Sequence, residues 1–200
     1  MKEPIDFWFD FSSPYSYIAS ERIDDLAAKH DRRVRWRPIM LGAAFKASGL
    51  PFLVGVPLKG EYSKRDFDRS ARFLGVPYTF PPKFPVTTLA AARGYYWLHG
   101  QDCAAAREFA RAVFRAYWVD GRDIGELPVV LEIAARLGID GEALTAAIAT
   151  PEIKERLKQE TEAAVARGMF GAPYFMVDGE PFWGADRLPQ IDKWLATGGF

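Results

Sequence analysis

The stretch FDFSSPYSY, Phe9–Tyr17, joins an extended apolar run to an amphipathic one. From Ile5 to Phe11 apolar residues alternate with acidic or aromatic ones, the period of a strand, and beyond Pro14 the pattern turns helical. Ser12 and Ser13 therefore fall at a strand-to-helix junction. The helix is predicted over Tyr15 to Lys29 with Ile18, Ile23 and Leu26 on one face, and a second strand follows from Val34 to Ile39. Strand, helix and strand in this order imply a parallel pair with a right-handed crossover, the opening unit of an α/β fold.

The other end of the chain returns to the same grammar. A helix in IKERLKQETEAAVARG precedes FGAPYFMVDGEPFWGADRLPQIDKWLATGG, where Tyr174 to Val177 and Pro181 to Trp183 flank Asp178-Gly179, a strong hairpin signal. A last helix spans Leu188 to Ala196. Between the two ends, Leu41 to Pro85 is broken by Gly and Pro and reads as loop plus one helix, SKRDFDRSARFLG, while Thr87 to Ala166 is almost entirely helical. The predicted organisation is one α/β domain made of residues 1–40 and 165–200, with a mainly helical domain, 41–164, inserted.

The 200 residues carry 26 Lys plus Arg against 26 Asp plus Glu, so no surplus of charge points to nucleic acid. No apolar run has the length of a secretory signal core or a membrane span, and a reducing cytoplasm is the expected compartment. The single cysteine, Cys103, has no partner for an internal disulfide and is expected to be buried packing. Metal-ligand spacing, a phosphate-binding glycine loop and Cys-x-x-Cys are all missing, so no metal is expected.

Ser13 has two readings. Before a proline it is a good helix N-cap, and Pro14 suits the first helical position. The same geometry stabilises an anion, because the amides and dipole of a helix N-terminus point at it, so a serine there can donate to a thiolate or oxyanion. Independent acyl transfer is disfavoured: the two histidines, His30 and His99, close helical runs, and the glycine-flanked nucleophile elbow is absent. Pro173, in GAPY, is either a strand-edge proline or a cis one that turns the preceding backbone toward a ligand. Asp186 either caps the last helix or captures an ammonium group. Lys59 and Asp66, in the irregular PLKGEYSKRDFD, read as a solvated face.

Together FDFSSPYSY, PLKGEY with Asp66, GAPYF and FWGADRL resemble the 2-hydroxychromene-2-carboxylate isomerase family, kin of the kappa-class glutathione transferases, over essentially the whole chain. The resemblance implies a thioredoxin-like fold with an inserted all-helical domain, as in bacterial disulfide oxidoreductases, a homodimer, a small aromatic substrate and glutathione as cofactor. It implies that Ser13 is catalytic and faces the glutathione sulfur, with Pro14 and Tyr15 completing the loop. Lys59 would contact the glycine end with Asp66 in the same wall, the main chain of Ala172 before a cis Pro173 would pair with the cysteinyl part, and Asp186 would hold the γ-glutamyl end. Phe84, Tyr95, Trp97 and Trp183 are candidates for an apolar substrate slot. The sequence departs from the family at Leu50, near which asparagine is usual, and at Ala185, usually Asn or Ser, implying weaker or rearranged side-chain contacts to glutathione.

Two other functions fit the same residues: a kappa-type transferase that consumes glutathione, and a non-catalytic thioredoxin-like binding module. Disulfide exchange lacks its redox pair.

Overall fold

The computed structural model describes residues 2–200. Strand β1 (Ile5–Phe9) is buried throughout. Its alternation divides the side chains: Ile5, Phe7 and Phe9 enter the main core, while Trp8 joins a second cluster with Ile39, Met169 and Tyr174 on the other face. Strand β2 (Val34–Pro38) pairs with it in parallel, Ile5 opposite Val34 and Phe9 opposite Pro38. Strand β3 (Tyr174–Val177) pairs antiparallel with β1, and β4 (Glu180–Trp183) with β3, giving the order β2-β1-β3-β4. Asp178 and Gly179, both at positive φ, make the tight turn between the last two strands.

The helix expected from Tyr15 to Lys29 is two helices, α1 (Pro14–Ser20) and α2 (Ile23–Lys29). Ile18 and Ile23 are five residues apart, too far round a 3.6-residue helix to share a face, so both are buried only because the chain breaks at Glu21 and Arg22. The buried Ser20 hydroxyl donates to the Tyr17 carbonyl beside that break, at 2.7 Å.

Among the described residues seven α-helices lie between β2 and β3: α3 (Leu41–Ser48), α4 (Lys59–Leu74), α5 (Leu89–His99), α6 (Cys103–Trp118), α7 (Leu127–Arg136), α8 (Gly141–Ala149) and α9 (Pro151–Ala166). The chain closes with α10 (Leu188–Thr197). The segment read as loop plus one helix thus holds two, α3 and α4. α3 lacks a capping side chain of its own at Met40. Its first N–H, that of Leu41, is instead satisfied by Asp10, 31 residues back. Lys59, expected in irregular chain, opens α4.

The main core is continuous from the sheet into the helices. Phe114 of α6 packs on Phe9, Phe11 and Tyr17. Tyr95 and Tyr96 of α5 donate to the β2 carbonyls of Trp36 and Pro38, so α5 hangs on the sheet edge. Tyr95 is therefore core and lines no slot, and Trp97, half-buried, packs against the same core. Cys103 is exposed rather than buried, because it is the first residue of α6 and the apolar stripe of that helix begins a turn later at Ala106.

Candidate active site

Each residue from Asp10 to Ser13 is bonded to a different distant element. The Asp10 carboxylate accepts from the backbone N–H of Ser12 at 2.8 Å and of Leu41 at 2.9 Å, and from the Thr88 hydroxyl at 3.2 Å. The Phe11 carbonyl accepts from the Trp118 indole at 2.8 Å. The Ser12 hydroxyl accepts from Val86 N–H at 3.2 Å. The Ser13 hydroxyl donates to the Ala172 carbonyl at 3.1 Å. The adjacent serines point opposite ways, Ser12 to the helical part and Ser13 to the loop before β3.

Ser13 is the N-cap of α1 and accepts from Ser16 N–H at 3.2 Å, with Pro14 at the first helical position. The capping reading is correct, and the cap hydroxyl is simultaneously turned to Ala172. The Ala172–Pro173 peptide bond is cis. The Pro173 carbonyl accepts from Gly184 N–H at 3.0 Å, which draws the turn after β4 to the same place. Asp186 lies in that turn, largely exposed and paired with Arg187 at 3.0 Å. It does not cap α10, whose N-cap is Arg187. Ser16 is buried three residues after Ser13, and among the described residues its hydroxyl has no hydrogen-bond partner.

Tyr15 links this junction to α4. Its hydroxyl donates to Asp66 and its ring meets Phe67 edge-on at 5.0 Å. Burial and then the Asp66 carboxylate push the Tyr15 phenol well up, and Asp186 adds to the same effect, so it is a hydrogen-bond donor. Burial alone would raise Asp66, but the hydrogen bonds from Tyr15 and Arg69 outweigh it and hold the carboxyl below its usual value. Asp66 is thus already engaged, and it fixes the wall. Lys59, two turns earlier on the same helix, is exposed and forms no ion pair among the described residues.

The wall before α4 is apolar and open. Leu50, Phe52, Leu53 and Leu58 are all exposed, Leu58 to 91%. Leu58 sits at φ 66°, ψ −48°, the centre of a γ-turn closed by Lys59 N–H donating to Pro57 at 2.8 Å. Of the remaining slot candidates, Phe84 is half-buried against Phe67, Phe80 and Trp118. Trp183 is half exposed and lies over Gly171, where a Cβ would fall 2.5 Å from the indole nitrogen.

Among the described residues no histidine bonds to Ser13: His30 pairs with Asp192 at 2.7 Å, and His99 lies 3.6 Å from the Cys103 sulfur. The structure joins Ser13 directly to Ala172, and Tyr15 to Asp66 with Asp186 nearby. Among the described residues Lys59 forms no ion pair with Asp66 or Asp186, and Ala185 is buried beside Asp186. Asp10, Thr88 and the bond from Val86 to Ser12 escape sequence reading because the partners are 31 to 78 residues apart.

The chain matches the family model of the DSBA-like thioredoxin domain over residues 4–196. It is 35% identical to a 2-hydroxychromene-2-carboxylate isomerase of Sphingobium xenophagum, covering 98% of this chain and 99% of the relative. It is 27% identical to glutathione S-transferase kappa 1 of Homo sapiens, over 96% of this chain and 92% of that one. Among solved structures, a 2-hydroxychromene-2-carboxylate isomerase superposes with a TM-score of 0.87 at 29% identity, covering 96% of this chain and 94% of the other. A junction serine facing a cis-proline loop, on a thioredoxin sheet carrying helices between its halves, thus places the chain in the DSBA-like thioredoxin family and, within it, in the 2-hydroxychromene-2-carboxylate isomerase family.

Proposed function

We propose that this chain is a glutathione-dependent isomerase that interconverts 2-hydroxychromene-2-carboxylate and trans-o-hydroxybenzylidenepyruvate, and works as a cytoplasmic homodimer. The observation that carries the reading is the Ser13 hydroxyl, fixed at the N-terminus of α1 and 3.1 Å from the carbonyl before Pro173. A serine there can polarise a thiol without forming a mixed disulfide with it.

The donor set fits glutathione. Asp186 offers an exposed carboxylate to an ammonium group, Lys59 an unpaired cation to a carboxylate, and Ala172 a main-chain carbonyl to a peptide N–H. When bound, glutathione supplies a thiolate that adds reversibly to the conjugated alkene and leaves again, so that the stiff bond can rotate in between. Ser13 would offer its hydroxyl as a hydrogen-bond donor to the sulfur, and the α1 N-terminus would add its positive end, both favouring the ionised thiol near neutrality. The Ala172 carbonyl, which accepts from Ser13 at 3.1 Å, would be an acceptor for the ligand's peptide N–H. Tyr15, held by Asp66, keeps the α4 wall against the junction.

The test follows the absorbance of purified 2-hydroxychromene-2-carboxylate with and without glutathione while free thiol is counted. Isomerisation that needs glutathione and leaves the thiol count constant is the expected result, with a loss of about a hundredfold in Ser13→Ala, the scale for removing one preorganised donor. No isomerisation in either condition would overturn the reading. Consumption of thiol would instead favour a kappa-type transferase, the activity named for the human relative.

A further inference from the structure

Asp10 is a buried carboxylate that no step above uses, yet it lies three residues before Ser13 and binds the start of three helical elements. Its Oδ1 accepts from Ser12 N–H, in the loop entering α1, and from the hydroxyl of Thr88, the N-cap residue of α5. Its Oδ2 accepts from Leu41 N–H, the first residue of α3. Among the described residues no Lys or Arg pairs with it, so its charge is balanced by hydrogen bonds and helix N-termini. Burial raises its carboxyl, and the bonds from Leu41, Ser12 and Thr88 oppose that rise. The titratable group of α6 that feels it is Tyr117, whose phenol is raised by burial first and by Asp123 and Asp10 after. Its neighbours on α3 and α5, Leu41 and Thr88, carry no charge.

Thr88 turns its hydroxyl away from its own helix to reach Asp10, and Met40 leaves the α3 N-terminus without a cap. Both helices thus give up local capping to a shared residue. The Asp10 carbonyl also accepts from Ser13 N–H at 2.9 Å, so both ends of the residue hold the serine loop.

We infer that Asp10 is the positioning residue of the site: its buried carboxylate pins Ser12 N–H to the starts of α3 and α5 and thereby sets the Ser13 hydroxyl for thiol activation. This rests on the glutathione reading above. Asparagine is not a conservative replacement here. Each carboxylate oxygen accepts from a backbone N–H, so an amide nitrogen in either place sets donor against donor.

The experiment titrates the thiol of glutathione bound to wild type, Ser13→Ala, Asp10→Asn and the double variant by its ultraviolet thiolate absorbance. It also measures hydrogen exchange of the Ser16 amide, which is bonded to the Ser13 hydroxyl, in the ligand-free proteins. The expected result is a roughly tenfold smaller thiolate fraction at fixed pH in Asp10→Asn, no further loss when that change is added to Ser13→Ala, and at least tenfold faster Ser16 exchange at unchanged global stability-corrected exchange elsewhere. Thr88→Val, which removes one bond, shifts both readouts in the same direction and less, and Thr88→Ser restores them. The Thr88 pair carries the test if Asp10→Asn does not fold. Unchanged Ser16 exchange in the variants, or an equal thiol shift with and without Ser13, would overturn the role of Asp10. A wild type that binds glutathione without lowering its thiol pKa would count against the glutathione reading instead, and the Ser16 exchange then decides for or against Asp10.

Discussion

Between Asp10 and Ser13 every residue is bonded to a distant element, whereas from Leu50 to Lys59 the backbone hydrogen bonds among the described residues close only local turns, such as Gly55 to Phe52 and Lys59 to Pro57. The first region is buried under aromatic rings, and the second exposes four large apolar side chains. Both border the same site through Tyr15 and α4. The difference teaches that the Ser13 hydroxyl stands on a part of the fold tied to distant elements, whereas the apolar wall before α4 is held by local turns.

Truncation of a ring packed on the first region, set against one within the second, is the strongest test. Phe114→Ala should cost about 3–5 kcal/mol in urea unfolding, because the ring is buried among Phe9, Phe11 and Tyr17. Phe52→Ala should cost about 1 kcal/mol or less, since half of that ring already faces water. Similar costs at the two positions would break the comparison.

The joint between the regions comes next. Tyr15→Phe removes the hydrogen bond to Asp66 and should cost about 1–2 kcal/mol near neutral pH. Asp66 has a folded value below its ordinary 3.8, so the stability it contributes is present above 3.8 and is lost as the pH falls through the folded value. Unfolding curves of wild type and Tyr15→Phe should therefore converge on acidification. A gap that stays constant to low pH would mean that the phenol, and not its bond to the carboxylate, holds the wall.

The smallest effect is expected inside the wall. Leu58→Gly should stabilise the protein by about 1 kcal/mol, because glycine tolerates the positive φ of the γ-turn and the leucine side chain buries almost nothing. Thermal unfolding reads this directly. A loss of stability would show that the exposed leucine is packed in the protein as it exists in solution.

The elements that the sequence announces most clearly are those whose reasons are local. The alternation through Phe7, Trp8 and Phe9, the Asp178-Gly179 turn and the Ser13-Pro14 cap each depend on neighbours within a few residues. α3 was hidden because its cap comes from Asp10, and the break at Glu21 showed only in the five-residue spacing of Ile18 and Ile23. A lone cysteine in a helical run reads as buried packing, but Cys103 opens α6 ahead of its apolar stripe and stands outside. Within the candidate site, the capping role of Ser13 is legible from its junction, whereas the engagement of Asp66 by Tyr15 depends on two helices meeting.

Ser13 and Ser16 are spaced as the two sulfurs of a Cys-x-x-Cys pair at a helix start, Ser-Pro-Tyr-Ser in place of Cys-Pro-Tyr-Cys. The first oxygen donates to Ala172 and accepts from Ser16 N–H, but the second is buried and among the described residues has no partner, a place that suits a weakly bonding sulfur better than a hydroxyl. The start of α1 thus has the spacing of a redox couple with hydroxyls where the sulfurs would stand. Ser13→Cys with Ser16→Cys should fill both places: with a small-molecule disulfide added as oxidant the chain is expected to form an internal disulfide and to exchange with dithiols, and on the glutathione reading proposed above it loses isomerisation because its first sulfur captures the thiol.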